Sequence, residues 1–520
     1  MSIDIVELTL AQAQAAMARG DVTAEALAQS HLERIARYNP VYNAILFQNP
    51  HALQEARAVD RRRAAGTVLG PLAGMPVVVK DTMDMAGVPT TGGWAMLCAR
   101  AGGTDLQPAR DATVVARLRA AGAVILGKTN VPVLSHSGSH ANDSWAGPTL
   151  SAIDTAFVPG GSSAGTATAV AASMAMAGLG EETGGSIQNP AAAQALVGLK
   201  PTLGLVSCAG VMPLCGERDV VGPIARCVHD AATVLDAVAG PCAEDPRTRA
   251  AARRRPAGGY ARQLRADALI GARLGLYGPG WRDQPLAAET ARLYERAQRE
   301  LAGQGAQLVD DPFAGSGLAR LRAPTPPFAD ADERGLESLP YDLQKYLERM
   351  APGSAIRDFA GFARLTARED PFAAGGVLAY LSNLPGFDAC RARPDRRPPQ
   401  TEFAAVKRAY RGIVEAVFAR ERLDALAFPQ MRGALPLLHS GVPIAETTVS
   451  EINIAGLPAV TVPAGYDAGG APFALVLVGR PWSEAALLSL AYAYECATRH
   501  RRVPVLNSAP LAPGANGDRR

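Results

Sequence analysis

Residues 155–180 carry no charge and consist mostly of Ala, Gly, Ser and Thr. No other feature limits the fold as strongly. Side chains this small gain little from lipid, and Pro159 interrupts the run, so no membrane span is predicted. The stretch reads as a loop leading into a tightly packed buried helix over 165–177, whose small residues let neighbouring elements approach closely. Hiding such a segment takes a large core. The composition supplies one, because 48% of the 520 residues are hydrophobic and 19% are charged, below the usual ~25%. With 52 Gly and 39 Pro, the chain is neither collagen-like nor low-complexity.

Around that segment, strand and helix patterns alternate. Thr23 or Asp21 can cap a helix whose apolar positions Leu27, Leu32 and Ile35 share a face, ending before Pro40. Apolar strands are predicted at 75–79 and 122–126, with a helix at 111–121 between them. Further strands are predicted at 273–277, 306–309, 425–428, 459–462 and 473–478, with helices at 288–303 and 483–498. Alternation of this kind favours an α/β architecture with a mostly parallel or mixed sheet. Residues 310–400 hold several prolines and amphipathic helices near 341–350 and 355–366, and read as an inserted cap. The last ten residues, LAPGANGDRR, read as a disordered tail.

Several function classes drop out early. The charge of +3 offers no nucleic-acid-binding surface. The arginine runs at 61–63 and 253–255 are short enough to be solvated faces. Cysteines at 98, 208, 215, 227, 242, 390 and 496 are odd in number and form no C-x-x-C pair, which fits a reducing cytosol better than a disulfide framework or zinc cluster. The N-terminus lacks a basic region followed by an apolar core, so no secretory signal is predicted and a cytoplasmic location is expected.

Three motif matches point elsewhere. Gly122 to Thr129 fits the phosphate-loop spacing, yet its middle is an apolar strand and not a loop with exposed amides. Gly161-Ser162-Ser163-Ala164-Gly165 fits a nucleophile elbow, with His229 or His439 as a base, but the preceding strand is weak and broken by Pro159. His136 and His140 are four apart, but the Ser-Gly-Ser between them argues for a loop and not a metal-bearing helix.

The densest chemistry lies in 159–204, where the turn Gly160-Gly161-Ser162-Ser163 is followed 24 residues later by Thr183-Gly184-Gly185-Ser186. Upstream, Lys80 ends a run of valines, and lysine rarely goes to the interior unless paired or neutral. Serine is a weak nucleophile until a base takes its proton. No histidine accompanies these serines in sequence, whereas a desolvated lysine can serve as a neutral base near pH 7. A glycine-rich turn before a serine exposes amides that can hold an oxyanion. Lys80, Ser162 and Ser186 are therefore the parts of a Ser-Ser-Lys relay.

On these residues the chain resembles the amidase signature family of serine hydrolases, in its peptide-amidase and acylamidase-like branch. The resemblance spans GMPVVVKD, DATVVARLRAAGAVILGKTNVP, PGGSSAG, TGGSIQNPA, VGLKPTLGLVS, LDALAFP, GLPAVTVPAG and LVGRPWSEAALLSLAYAYE, in that order. It implies a single large α/β/α domain, a mixed twisted sheet flanked by helices with a helical cap insertion. The divisions are an N-terminal helical segment at 1–70, a signature core at 71–240, a variable cap and substrate region at 241–400, the rest of the core at 401–508, and a tail at 509–520. The resemblance makes Ser186 the nucleophile, Ser162 the bridge at a cis peptide bond, and Lys80 the general base. It makes the amides of Thr183, Gly184, Gly185 and Ser186 the oxyanion hole, with Ser163 in support. The implied activity is hydrolysis of a linear amide C–N bond through an acyl-enzyme, releasing ammonia or an amine. An esterase or carbamate hydrolase on the same relay, and a catalytically silent binding homologue, are the alternatives. No cofactor or metal is implied. The expected partner is a small-molecule amide, with no nucleic acid, and family habit suggests a homodimer.

The sequence departs from the family at three places. Ala164 stands where Gly is usual. Glu181 stands where Thr is common, adding a carboxylate near the site. Gln188 replaces an Arg found in many members, which counts against a glutamine-dependent transamidosome component. The stretches 341–347 and 355–360 are similar to the branch acting on small or medium amides. Trp94, Met96 and Leu97 are read either as lining an apolar substrate pocket or as core residues.

Overall fold

The structure, a computed structural model, describes residues 3–328 and 330–508. Its strands are β1 (Ile45–Gln48), β2 (Pro76–Lys80), β3 (Val124–Thr129), β4 (Ala177–Glu182), β5 (Val197–Lys200), β6 (Val220–Ala225), β7 (Arg273–Leu276), β8 (Gln307–Val309), β9 (Ala425–Pro429), β10 (Ala459–Tyr466) and β11 (Pro472–Val478). They form one sheet in the order β1-β3-β2-β4-β6-β5-β10-β11-β9-β7-β8. Pairing is parallel for β3–β2–β4 and for β8–β7–β9, and antiparallel elsewhere. Most strands are buried along their whole length, as the continuous apolar runs require when helices cover a sheet. The α/β class and mixed sheet expected from sequence are what the chain forms.

Local chemistry explains the ends of several elements. The Thr9 hydroxyl and the Gln12 side chain make a reciprocal capping box on helix Leu10–Arg19, which stops at Gly20 in the left-handed conformation. Thr23 caps helix Ala24–Tyr42 as expected. That helix runs past Pro40 and does not end before it, because a proline in the last turn forgoes only one bond of a ladder that is already closing.

The uncharged segment divides differently from the sequence expectation. The helix occupies only Ala164–Ala171, a turn with Ser173 at φ 55° follows, and β4 begins at Ala177. Strand and helix compete for runs of Ala and Gly, and pairing with β2 and β6 decides for strand. The strand expected at 122–126 lies at Val124–Thr129 and includes Gly127, Lys128 and Thr129. The cap helices form at Leu339–Leu347 and Phe359–Leu365, close to the expected ranges. Residues 336–387, with Trp94–Leu97, Met212 and Leu214, contribute to an apolar cluster separate from the sheet core. The tail expectation falls on residues 509–520, outside those described. No helix among the described residues is long and apolar enough to cross a membrane.

Candidate active site

Lys80 ends β2, next to the parallel strand β4. Its side chain is fully buried, and Nζ donates to Ser162 Oγ at 2.7 Å, to the Glu181 carbonyl at 3.0 Å and to Glu181 Oε2 at 2.7 Å. Three acceptors match the three hydrogens of an ammonium group. The lysine is thus not a lone desolvated amine, as sequence reasoning supposed, but half of an ion pair.

Ser162 follows a cis peptide bond from Gly161. It and Ser163 immediately precede helix Ala164–Ala171, and both are fully buried. The Ser163 amide donates to the Ser186 carbonyl at 3.3 Å, tying the two serine turns together. The Ser163 hydroxyl lies 3.4 Å from both the amide and the carbonyl of Glu181. Among the described residues, no histidine hydrogen-bonds to either serine, which removes the geometry an elbow enzyme would need. The approach of the two turns depends on Gly160, at φ +75°, where a Cβ would sit 2.4 Å from Pro190 Cα.

Thr183–Ser186 connects β4 to helix Gln188–Ala193. Gly185 has φ +87°, a conformation glycine adopts without strain. Among the described residues, the amides of Gly184, Gly185 and Ser186 donate no hydrogen bond. The turn is braced from behind by Glu182. Its carboxylate accepts from the amides of Ile187 and Gln188 at 2.8 and 3.1 Å, from the Gln188 side chain at 2.6 Å and from Asn453 at 2.9 Å. Gln188 therefore pairs with Glu182 as a neutral amide. Ser186 is 6% exposed, whereas Lys80 and Ser162 are at 0%. No hydrogen bond joins Ser186 Oγ to Ser162 among the described residues. The two serines are linked through the Ser163 amide.

Other groups around the turn were not singled out from sequence. Arg218 Nε donates to the Thr183 carbonyl at 3.2 Å. Asn189 donates to Glu446 at 2.9 Å and to the Gly138 carbonyl at 3.2 Å. Burial, only partly offset by Asn189, pushes the Glu446 carboxyl up to about 7. Arg218 and Glu446 sit far from the turn in the chain and carry no local motif, so only the fold brings them to it.

A narrow, mostly apolar cavity of about 10 Å³, room for about one water, is lined by Thr82, Leu134, Met212, Leu214, Leu339 and Phe372, among others. Thr82 ties it to the segment just after Lys80. Trp94, Met96 and Leu97 are buried in the cap cluster, where Trp94 packs on Phe362 at 5.7 Å. Trp94 also borders an outer cleft with Val133 and residues 367–377. The phosphate-loop lysine, Lys128, is fully buried against Asp81 at 2.9 Å, with no exposed loop around it. His136 pairs with Asp143 at 2.8 Å.

A family model described as Amidase matches residues 26–314. The chain belongs to this family. A component of the glutamyl-tRNA(Gln) amidotransferase of Synechococcus sp. is 33% identical over 94% of this chain and 96% of its own. A probable amidase of Arabidopsis thaliana is 30% identical, with 97% and 92% covered. The native peptide amidase of Stenotrophomonas maltophilia has a similar structure, with a TM-score of 0.79 at 34% identity over 97% of this chain and 99% of that one. As a member of the amidase family, the protein is an enzyme acting on amide C–N bonds, and its single-domain mixed sheet is the family's fold.

Proposed function

We propose that this amidase hydrolyses a carboxylic amide through an acyl-enzyme on Ser186. Lys80 draws the Ser186 proton through Ser162, and the alkoxide attacks the amide carbon. The amides of Thr183, Gly184, Gly185 and Ser186 hold the tetrahedral oxyanion, and Ser163 locks the two serine turns in place. Collapse breaks the C–N bond, and the proton returns through Ser162 to the leaving nitrogen, which amides require because an amide anion leaves poorly. Water then repeats the sequence on the ester and frees Ser186. The observation that carries this reading is the 2.7 Å bond from a fully buried lysine to Ser162, beside a turn whose Gly184, Gly185 and Ser186 amides donate to no acceptor among the described residues.

The substrates that fit best are small or medium carboxamides, with peptide amides the first to try, given the resemblance to peptide amidase. The apolar side chains beside Thr82, with Trp94, Met96 and Leu97 in the same cap cluster, would meet an apolar part of the substrate. A small amide is then the working partner, in the cytoplasm, and light scattering tests the homodimer. A fluorophosphonate should label Ser186, and Ser186→Ala should abolish both labelling and amide hydrolysis. Labelling without hydrolysis of any amide would favour an esterase or carbamate hydrolase, and no labelling a silent binding homologue.

A second reading, a component of an amidotransferase, is favoured by relatives of that name. It predicts ammonia transfer only with partner proteins. Steady release of ammonia or amine by the chain alone excludes it.

A further inference from the structure

Glu181 stands out among the groups the proposed relay leaves unused. Its carboxylate is buried, 2.7 Å from the nitrogen that is to act as the base. Its other oxygen accepts from Thr183 Oγ1 at 3.2 Å, and the same hydroxyl lies 2.6 Å from Asp219 Oδ1. Asp219 also accepts from the amides of Leu214 and Cys215 at 3.0 Å. A continuous chain thus runs Ser162, Lys80, Glu181, Thr183, Asp219, to a cleft that Asp219 lines together with Arg247 and Tyr341.

We propose that Glu181 is a positioning residue for the base: its carboxylate holds Nζ against Ser162 and, as an opposite charge in contact, sets the acid limb of acylation. The inference rests on the relay reading. An opposite charge in direct contact favours the charged form of a lysine, and a base must be uncharged to take a proton. The other charged and titratable groups facing the pair do not cancel this. Burial and the Glu181 carboxylate push Asp219 upward, which lessens the negative charge it adds beside the pair. Behind it, Arg247 is engaged with Asp245, Cys208 is pushed up to about 12 by burial, and Arg218 donates to backbone carbonyls.

The test is the rate of Ser186 labelling by a fluorophosphonate across pH 6–10, which needs no knowledge of the natural substrate. In Glu181→Gln the acid limb should move toward lower pH by about one unit or more, giving roughly tenfold faster labelling on that side. A lower rate at every pH with the limb unmoved would overturn the proposal and leave Glu181 a packing residue. Should Glu181→Gln not fold, Asp219→Asn decides. Asp219 reaches the pair only through Thr183, so its replacement should shift the limb the same way by less, and an unmoved limb there overturns the proposal. Lys80→Met separates the two readings. Labelling at the wild-type rate in that variant would sink the relay itself, whereas lost labelling together with an unmoved Glu181→Gln limb would sink only the present inference.

Discussion

Lys80 closes β2 and Lys128 lies beside it on β3, in a register that pairs Val79 with Lys128 and Lys80 with Thr129. Both side chains are fully buried, and each has one carboxylate, Glu181 at 2.7 Å or Asp81 at 2.9 Å. Their remaining contacts separate them. Lys128 donates to Thr90 Oγ1 and the Pro89 carbonyl, each at 2.8 Å, in a loop packed under the cap. Lys80 donates to a serine whose neighbour is tied to the Thr183–Ser186 turn, where the proposed nucleophile lies. Burial and an ion pair are therefore shared structural properties, and neither identifies a base. What favours Lys80 as the proposed base is a hydroxyl, itself able to lose a proton, hydrogen-bonded to its amine.

This contrast is open to direct attack. Lys80→Met should lower acylation on the order of 10³-fold or more, since relay members act as a unit; active-site labelling per folded molecule measures it. Retained labelling would make the two lysines equivalent. Lys128→Met should cost about 3–5 kcal/mol of stability, because it leaves Asp81 buried and unpaired, while labelling per folded molecule persists; denaturant melts and the same probe separate the two effects.

The second carboxyls near each lysine sharpen the comparison through pH. Burial raises Asp219 to about 8 and Asp84 to about 6, the latter despite bonds from Tyr346 and Thr90. Unfolded carboxyls titrate near ~4. The folded state thus holds protons that the unfolded chain releases, and stability should fall as pH rises from about 4 through those values. Melting temperatures across pH 4–9 should show the fall reaching beyond pH 7. Asp84→Asn should flatten its lower part, and Asp219→Asn its upper part. The smallest effect belongs to a site remote from both lysines. Thr9→Ala breaks the capping box and should cost about 1 kcal/mol without altering labelling, which calibrates what a purely structural change does to the probe.

Much of the site was legible beforehand because its parts are local. Lys80 at the end of a valine strand, and two Gly/Ser turns, are patterns of adjacent residues. The strand β4 was not legible, since Ala177, Gly178 and Gly180 carry no strand signal and are strand only because β2 and β6 flank them. The helix Thr401–Glu421 was also missed. It starts and ends on left-handed residues, Gln400 and Arg422, where the usual Ser, Thr or Gly markers are absent.

The sequence by itself determined the uncharged small-residue segment that has to be buried, the valine strand carrying a lysine, and the turn types that glycine permits. It also placed Glu181 and Glu182 side by side. Only the tertiary structure decided which of the two serves which task. Successive strand residues point to opposite faces, and the parallel register of β4 on β2, with Val79 opposite Leu179, turns Glu181 to Lys80 and leaves Glu182 to brace the nucleophile turn.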